Sequence, residues 1–347
     1  MTNAHKKVFA SILPAASPEW LALHQEEIVE PDLPIIDAHH HLWELPRVPR
    51  YLHEELAADL TSGHNVIGTV FMECTEAYRE SGPEREKPLG ETEFVANFTA
   101  EAANGPAGTH GVCKGIVGRA DLMEGASVED VLLMHRELGQ GLWRGIRNST
   151  VYDATGTVRT TARTPPAGVL MDATFRQGFE KLVGLGMSFD CWLYHTQLNE
   201  VADLARSFPD ANIILDHVGG PMGSGAYSGK RDEVFQVWKK GIEAIAATPN
   251  VSCKLGGLGM KMFGFGFDAK DTPPTSKELA AAWAPYIETC IEAFGPNRCM
   301  FESNFPVDQV SCSYPVLWNA FKRIAARYSA AEKTALFSGT AQRVYAL

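Results

Sequence analysis

"IIDAHHHLWEL", residues 35–45, sets a short apolar run directly before three consecutive histidines. A doubly wound α/β sheet needs a glycine-rich first turn, where the backbone can approach a phosphate at the helix N-terminus. Here that turn carries histidines. Ionisable residues at the end of a first strand instead suit a TIM barrel, whose active sites gather at the C-terminal ends of the strands.

Seven further short runs resemble the first. They are "VIGTVFMEC" (66–74), "VCKGIVGRA" (112–120), "LWRGIR" (142–147), "MSFDCWL" (187–193), "NIILDH" (212–217), "NVSCKL" (250–255) and "RCMFES" (298–303). Many are apolar throughout rather than alternating, the pattern of strands covered on both faces. Helical apolar spacing falls between them, at 91–104, 127–138, 172–186, 197–210, 231–248, 276–295, 314–328 and 329–347. Ser127 with Asp130 predicts a capping box for the second of these. The count predicts a single-domain α/β fold, a (β/α)8 TIM barrel over 33–347. An N-terminal extension, 1–32, with a short helix near Pro18–Glu27, precedes it. "GSGAYSGKRDE" and "GGLGMKMFGFGFD" lack phosphate-loop spacing and read as barrel loops.

Of the 347 residues, 45% are hydrophobic and 21% charged, which suits a globular domain. The formal net charge of −11 and the lack of Lys/Arg runs argue against nucleic acid and anionic membranes as partners. No stretch of 18 or more apolar residues is present to span a membrane. Pro14 interrupts the mildly apolar N-terminus, so a signal peptide is not expected and the expected location is the cytoplasm. The seven cysteines are scattered without CxxC spacing, as buried reduced thiols are. A homodimer is compatible with the chain, and no residue pattern specifies one.

The predicted strand ends deliver an unusual set of polar residues. The first offers Asp37, His39, His40 and His41, the second Glu73, and the third Arg119 and Asp121. The fourth offers Arg144 and Arg147, the fifth His195, and the sixth Asp216 and His217. The seventh offers Lys254, and the eighth Glu302, Asn304 and Asp308. Side chains alternate along a strand, so His39 and His41 share a face and His40 points away. Paired imidazoles on one face are a common start to a metal site.

These motifs resemble the amidohydrolase superfamily, in its amidohydrolase-related branch. "DAHHHLW", "GIVGRADL", "RGIRN", "LYHTQL", "LDHVGGP", "SCKLGGL" and "MFESNFPVD" match the branch's strand-end segments in order. That branch includes 2-pyrone-4,6-dicarboxylate and sugar-acid lactonases. The resemblance implies a hydrolase that opens a lactone or similar activated carbonyl of a small carboxylated substrate, with or without a divalent metal such as Zn2+. Metal-using members would place the ion on His39, His41, His195 and position 304. Position 304 is usually aspartate and here is Asn304, a neutral amide that is a weaker ligand and no base. The general base would then be His217, Glu302 or Asp308. Arg147, with Arg144, would clamp a substrate carboxylate. Lys254, if buried, needs an anion such as Glu302 or substrate, and Glu73 and Asp121 would organise the cations. The same scaffold also allows a metal-dependent decarboxylase, a lactone isomerase or a non-catalytic binding protein.

Overall fold

The computed structural model describes residues 17–46, 48–103, 111–161 and 164–347. The first sixteen residues, on which most of the signal-peptide reading rests, lie outside them. Eight parallel strands follow one another in sheet order: β1 Ile35–His40, β2 Val66–Met72, β3 Gly115–Gly118, β4 Trp143–Ser149, β5 Ser188–Trp192, β6 Asn212–Leu215, β7 Val251–Leu255 and β8 Cys299–Phe301. The barrel closes just above β8, where His40 bridges Phe305 in parallel. There the His41 amide donates to the Phe305 carbonyl at 2.8 Å, and the Asn304 amide donates to the His39 carbonyl at 2.9 Å. The chain is a (β/α)8 TIM barrel.

Its helices are α1 Pro18–Leu21, α2 His53–Leu60, α3 Leu89–Ala102, α4 Glu129–Leu138, α5 Ala173–Gly184, α6 Leu198–Ser207, α7 Arg231–Ala246, α8 Ser276–Phe294 and α9 Tyr314–Ile324. A helical tail over 330–344 follows them. α8 starts on a true capping box, with the Glu278 amide donating to Thr275 Oγ1 and the Thr275 amide donating to Glu278 Oε2. The box expected at Ser127 does not form. The Ser127 hydroxyl donates to the Glu124 carbonyl instead, and α4 begins without a side-chain cap. α2 has no counterpart in the sequence reading, because only Leu56 and Leu60 along it are buried and its apolar period is faint.

The barrel interior is a small apolar layer of Ile36, Ala38, Val70, Met72, Val117, Ile214 and Met300, closed from below by Ala341 and Tyr345 of the tail. A larger apolar shell lies between strands and helices, including Trp238, Trp283 and Trp318, all fully buried.

Asp37 latches the seam. It accepts from the Ser303 amide at 2.8 Å, the Ser303 hydroxyl at 2.6 Å, the Tyr314 hydroxyl at 3.1 Å and the His39 amide at 3.3 Å. These bonds join β1 to the segment after β8. Asp37→Ala leaves buried donors unpaired and is expected to cost about 3 kcal/mol or more, since each orphaned donor costs roughly 1–3. Urea unfolding followed by circular dichroism checks this as a lowered midpoint at unchanged slope.

Candidate active site

A cavity of about 300 Å³ opens at the C-terminal ends of the strands, lined in part by His41, Glu73, Arg119, Arg147, His217 and Asn304. Beneath it the polar residues form a connected, buried network, which begins at the barrel axis. Lys254 on β7 is wholly buried. Its Nζ lies 2.7 Å from Asp190 Oδ1 on β5, 3.0 Å from Asp216 Oδ1 after β6, and 3.3 Å from His39 Nδ1. Asp190 also accepts from the Tyr345 hydroxyl, which enters from below. Burial alone would lower the Lys254 pKa, but the charges of Asp190, Asp216 and Glu302 outweigh it and leave the pKa raised, so the ammonium stays charged.

The histidines sit on top. The His41 Nδ1–H donates to the Met72 carbonyl at 2.9 Å, which leaves its Nε2 as an acceptor. His39 Nε2 lies 3.2 Å from it, and His39 Nδ1 lies 3.0 Å from Glu302 Oε2 and 3.3 Å from the Lys254 ammonium. Burial holds both imidazoles far below the usual histidine pKa, helped by Lys254 at His39 and by Arg147 at His41. Both are neutral at pH 7. His40 faces away as alternation requires, with Nε2 against the Thr69 hydroxyl at 2.9 Å.

His217 and Glu302 form a dyad. His217 Nδ1 lies 2.7 Å from Glu302 Oε1, which also accepts from the His217 amide at 3.1 Å. With its Nδ1 proton donated, the imidazole keeps a lone pair on Nε2. Gly257 makes room for this ring: a Cβ there would sit 2.4 Å from His217 Nδ1, and its φ of +71° also favours glycine. His217, Val218 and Asn304 have φ of 52°, 49° and 54°, left-handed values that side chains other than glycine rarely adopt. Such backbone strain clusters at functional sites. Asn304 Nδ2 donates to Asp308 Oδ1 at 2.7 Å, and Asp308 Oδ2 accepts from the Gly259 amide at 2.8 Å. Burial pushes the Asp308 carboxyl up to about 7 against these bonds.

Arg147 on β4 is buried and tied. Its Nε donates to Glu73 Oε1 at 3.0 Å and its Nη2 to the Glu73 carbonyl. Its Nη1 lies 3.3 Å from His39 Nε2 and 3.9 Å from Asp216 Oδ2.

A family model described as amidohydrolase matches residues 36–347. The chain belongs to the amidohydrolase family. The uncharacterised protein y4mH of Sinorhizobium fredii is 34% identical over 335 residues, which are 90% of this chain and 99% of that one. An L-fucono-1,5-lactonase of Burkholderia multivorans is 34% identical over 181 residues, 51% of this amidohydrolase and 57% of the lactonase. A crystal structure of a Burkholderia multivorans amidohydrolase with bound zinc shares the fold, with a TM-score of 0.68 at 24% identity, covering 90% of this chain and 99% of that one.

The expected site residues divide accordingly. His41, Glu73, Arg147, His217 and Asn304 line the cavity of this amidohydrolase, and His39, Glu302 and Asp308 bond directly to or stand against them. Three others are placed elsewhere. Arg144 lies three residues before Arg147, about 10 Å lower along the strand and on its other face. It donates to the Gly141 carbonyl at 2.6 Å, at the far end of the barrel. His195 starts the turn that leads into α6 and is not among the residues that line the cavity. Its Nδ1 accepts from the Met222 amide at 3.3 Å and its ring packs on Tyr227. Lys254 lies under the cavity floor, and its close anions are Asp190 and Asp216 rather than Glu302 or a substrate. The reading passed over Asp190 and gave Asp216 no role. The available signal was a pair of opposite charges, Asp190 and Lys254, inside otherwise apolar strands.

The residues present do not complete a divalent-metal site. Of the four expected ligand positions, His39 and His41 bring their Nε2 atoms to 3.2 Å, while Asn304 is a neutral amide bonded to Asp308 and His195 Nδ1 accepts from the Met222 amide. His39, Asp216 and His217 offer ligand atoms within 4.8 Å of one another. Yet the Lys254 ammonium stands within 3.3 Å of two of them, and Glu302 holds the His217 Nδ1. Fixed cations occupy the place where a divalent ion needs unprotonated, anionic donors.

Proposed function

We propose that this amidohydrolase opens a lactone, or a comparably activated ester, of a small carboxylated molecule by water attack without a resident metal. The observation that carries the reading is the His217–Glu302 dyad at the cavity wall beside the fixed charge of Arg147. The partial likeness to a lactonase supports the substrate class.

The dyad orients one imidazole tautomer. Glu302 holds the Nδ1 proton, so His217 Nε2 accepts a proton from water as the water oxygen bonds to the carbonyl carbon. The resulting oxyanion is stabilised by the Arg147 guanidinium, which Glu73 holds in place before reaction. On collapse the ring C–O bond breaks, and His217 returns the proton to the departing alkoxide oxygen. The products are a carboxylate and a hydroxyl on one chain. Neutral His39 and His41, in edge-to-face contact, brace the floor between Lys254 and the cavity.

A panel of carboxylated γ- and δ-lactones in ¹⁸O-water tests this. Turnover should place one ¹⁸O in the new carboxylate. Turnover without label, or loss of CO2, would sink the hydrolytic reading. Exhaustive chelation followed by metal analysis should leave activity essentially unchanged. Loss of activity that Zn2+ restores would overturn the metal-free reading.

A further inference from the structure

The carboxylate clamp foreseen at Arg147 needs a guanidinium with free donors, and Arg147 has few left. The other cations near the cavity are similarly engaged. Arg85 pairs with Glu124 at 2.9 Å, and Lys87 pairs with Glu84. Arg119, which follows β3, differs. Among the described residues, no carboxylate oxygen stands within 4.0 Å of its guanidinium. It is half-buried, and it lines both the 300 Å³ cavity and a neighbouring space of about 230 Å³, so it stands where the two meet.

Its surroundings are built rather than incidental. Asp121, which borders both spaces, turns Oδ1 to the Met123 amide at 3.0 Å. The buried Tyr78 hydroxyl borders the smaller space and stands beside the Arg119 guanidinium. The backbone of Arg119 is fixed from behind, because His135 Nε2 donates to its carbonyl at 2.9 Å and His135 Nδ1 accepts from the Thr92 hydroxyl at 2.8 Å. The His135 ring stacks on Trp143 at 5.7 Å. The cavity wall also includes apolar Met123, Pro165, Val169 and Trp192.

We infer that Arg119, with the Tyr78 hydroxyl beside it, is the subsite for the substrate's carboxylate. It anchors one end of a molecule whose apolar middle lies on that wall and whose reacting carbonyl reaches Arg147 and His217. The inference rests on the cavity being the substrate site, but not on the hydrolytic step. A guanidinium with open donors can meet a carboxylate with two parallel hydrogen bonds. Arg119 is therefore a residue that sets specificity for acids over neutral analogues.

Calorimetric titration of the full chain with succinate, glutarate and adipate, and with their dimethyl esters, tests it. The wild type should bind at least one diacid and discriminate against its ester. Arg119→Met should weaken that diacid by about 10- to 100-fold, the worth of charge-assisted hydrogen bonds. Arg119→Lys keeps the charge without the fork and should fall between. An unchanged thermal melt and far-UV spectrum for Arg119→Lys keep the comparison valid if the methionine variant misfolds. The titration reads binding alone and needs no turnover, so failure of the hydrolytic reading leaves it intact. Equal binding by wild type and both Arg119 variants would overturn the subsite. So would equal binding of acid and ester, or no diacid binding at all.

Discussion

Replacing His217 with asparagine is expected to lower kcat on a lactone substrate by about 100- to 10,000-fold, the usual contribution of a positioned general base. KM should change little. The substitution is unusually clean because of the backbone. His217 sits at φ 52°, and asparagine is among the few residues that tolerate this left-handed region. The amide nitrogen can still donate towards Glu302, so the fold and the carboxylate keep a partner, but an amide cannot take a proton from water. Glu302→Gln should also lower kcat strongly. Glutamine can donate to Nδ1 and so favour the tautomer in which Nε2 carries the proton and is no longer a base. Turnover within a few-fold of wild type would remove His217 from the role.

Lys254→Met is expected to destabilise the protein by about 3–5 kcal/mol, the cost of breaking a buried ion pair from one side. Asp190 and Asp216 would remain in the barrel interior without their ammonium. Asp190 would keep the Tyr345 hydroxyl, whereas Asp216 would keep Arg147 and the His39 imidazole, each 3.9 Å away. The urea midpoint should fall at unchanged slope. The pH dependence has a definite sign. Burial already holds the Asp190 carboxyl at about 6, above its ordinary 3.8, although Lys254 pulls it down. A carboxyl raised in the folded state favours folding below its unfolded pKa, and that stability is lost as pH rises through the folded value. Removing Lys254 extends this loss to higher pH, so the deficit should be largest near neutrality and shrink as pH falls towards 5. Adding Asp190→Asn to Lys254→Met should recover part of the loss. A double variant no more stable than the single would show that the charges are not what Lys254 balances.

The sequence was informative wherever the physics is local. Strands buried on both faces must be apolar along their length, so eight such runs were visible, and their order with helices between specified a barrel. The alternation of a strand is a two-residue rule, which is why "DAHHHLW" could be read as two histidines on one face with His40 between. Helix α8 follows the apolar spacing read over 276–295, and its start is fixed by a contact between Thr275 and Glu278 that spans three residues. Where the local signal was weak, as at α2, or where a nearer backbone carbonyl competed for the hydroxyl, as at Ser127, the reading departed from the structure.

What only the tertiary structure decided is how charges from distant strands divide among partners. Lys254 meets Asp190 across 64 residues of chain, and Arg147 meets Glu73 across 74. No spacing rule links them, because barrel closure alone brings their side chains into one low-dielectric interior. Buried charge must be matched there, so Lys254 was taken by the barrel and Arg147 by Glu73, while Arg119 was left facing the cavity without a carboxylate. The sequence determined the barrel and which face its first histidines share. The folded interior, by pairing one set of charges and not another, decided which groups remain available to a substrate.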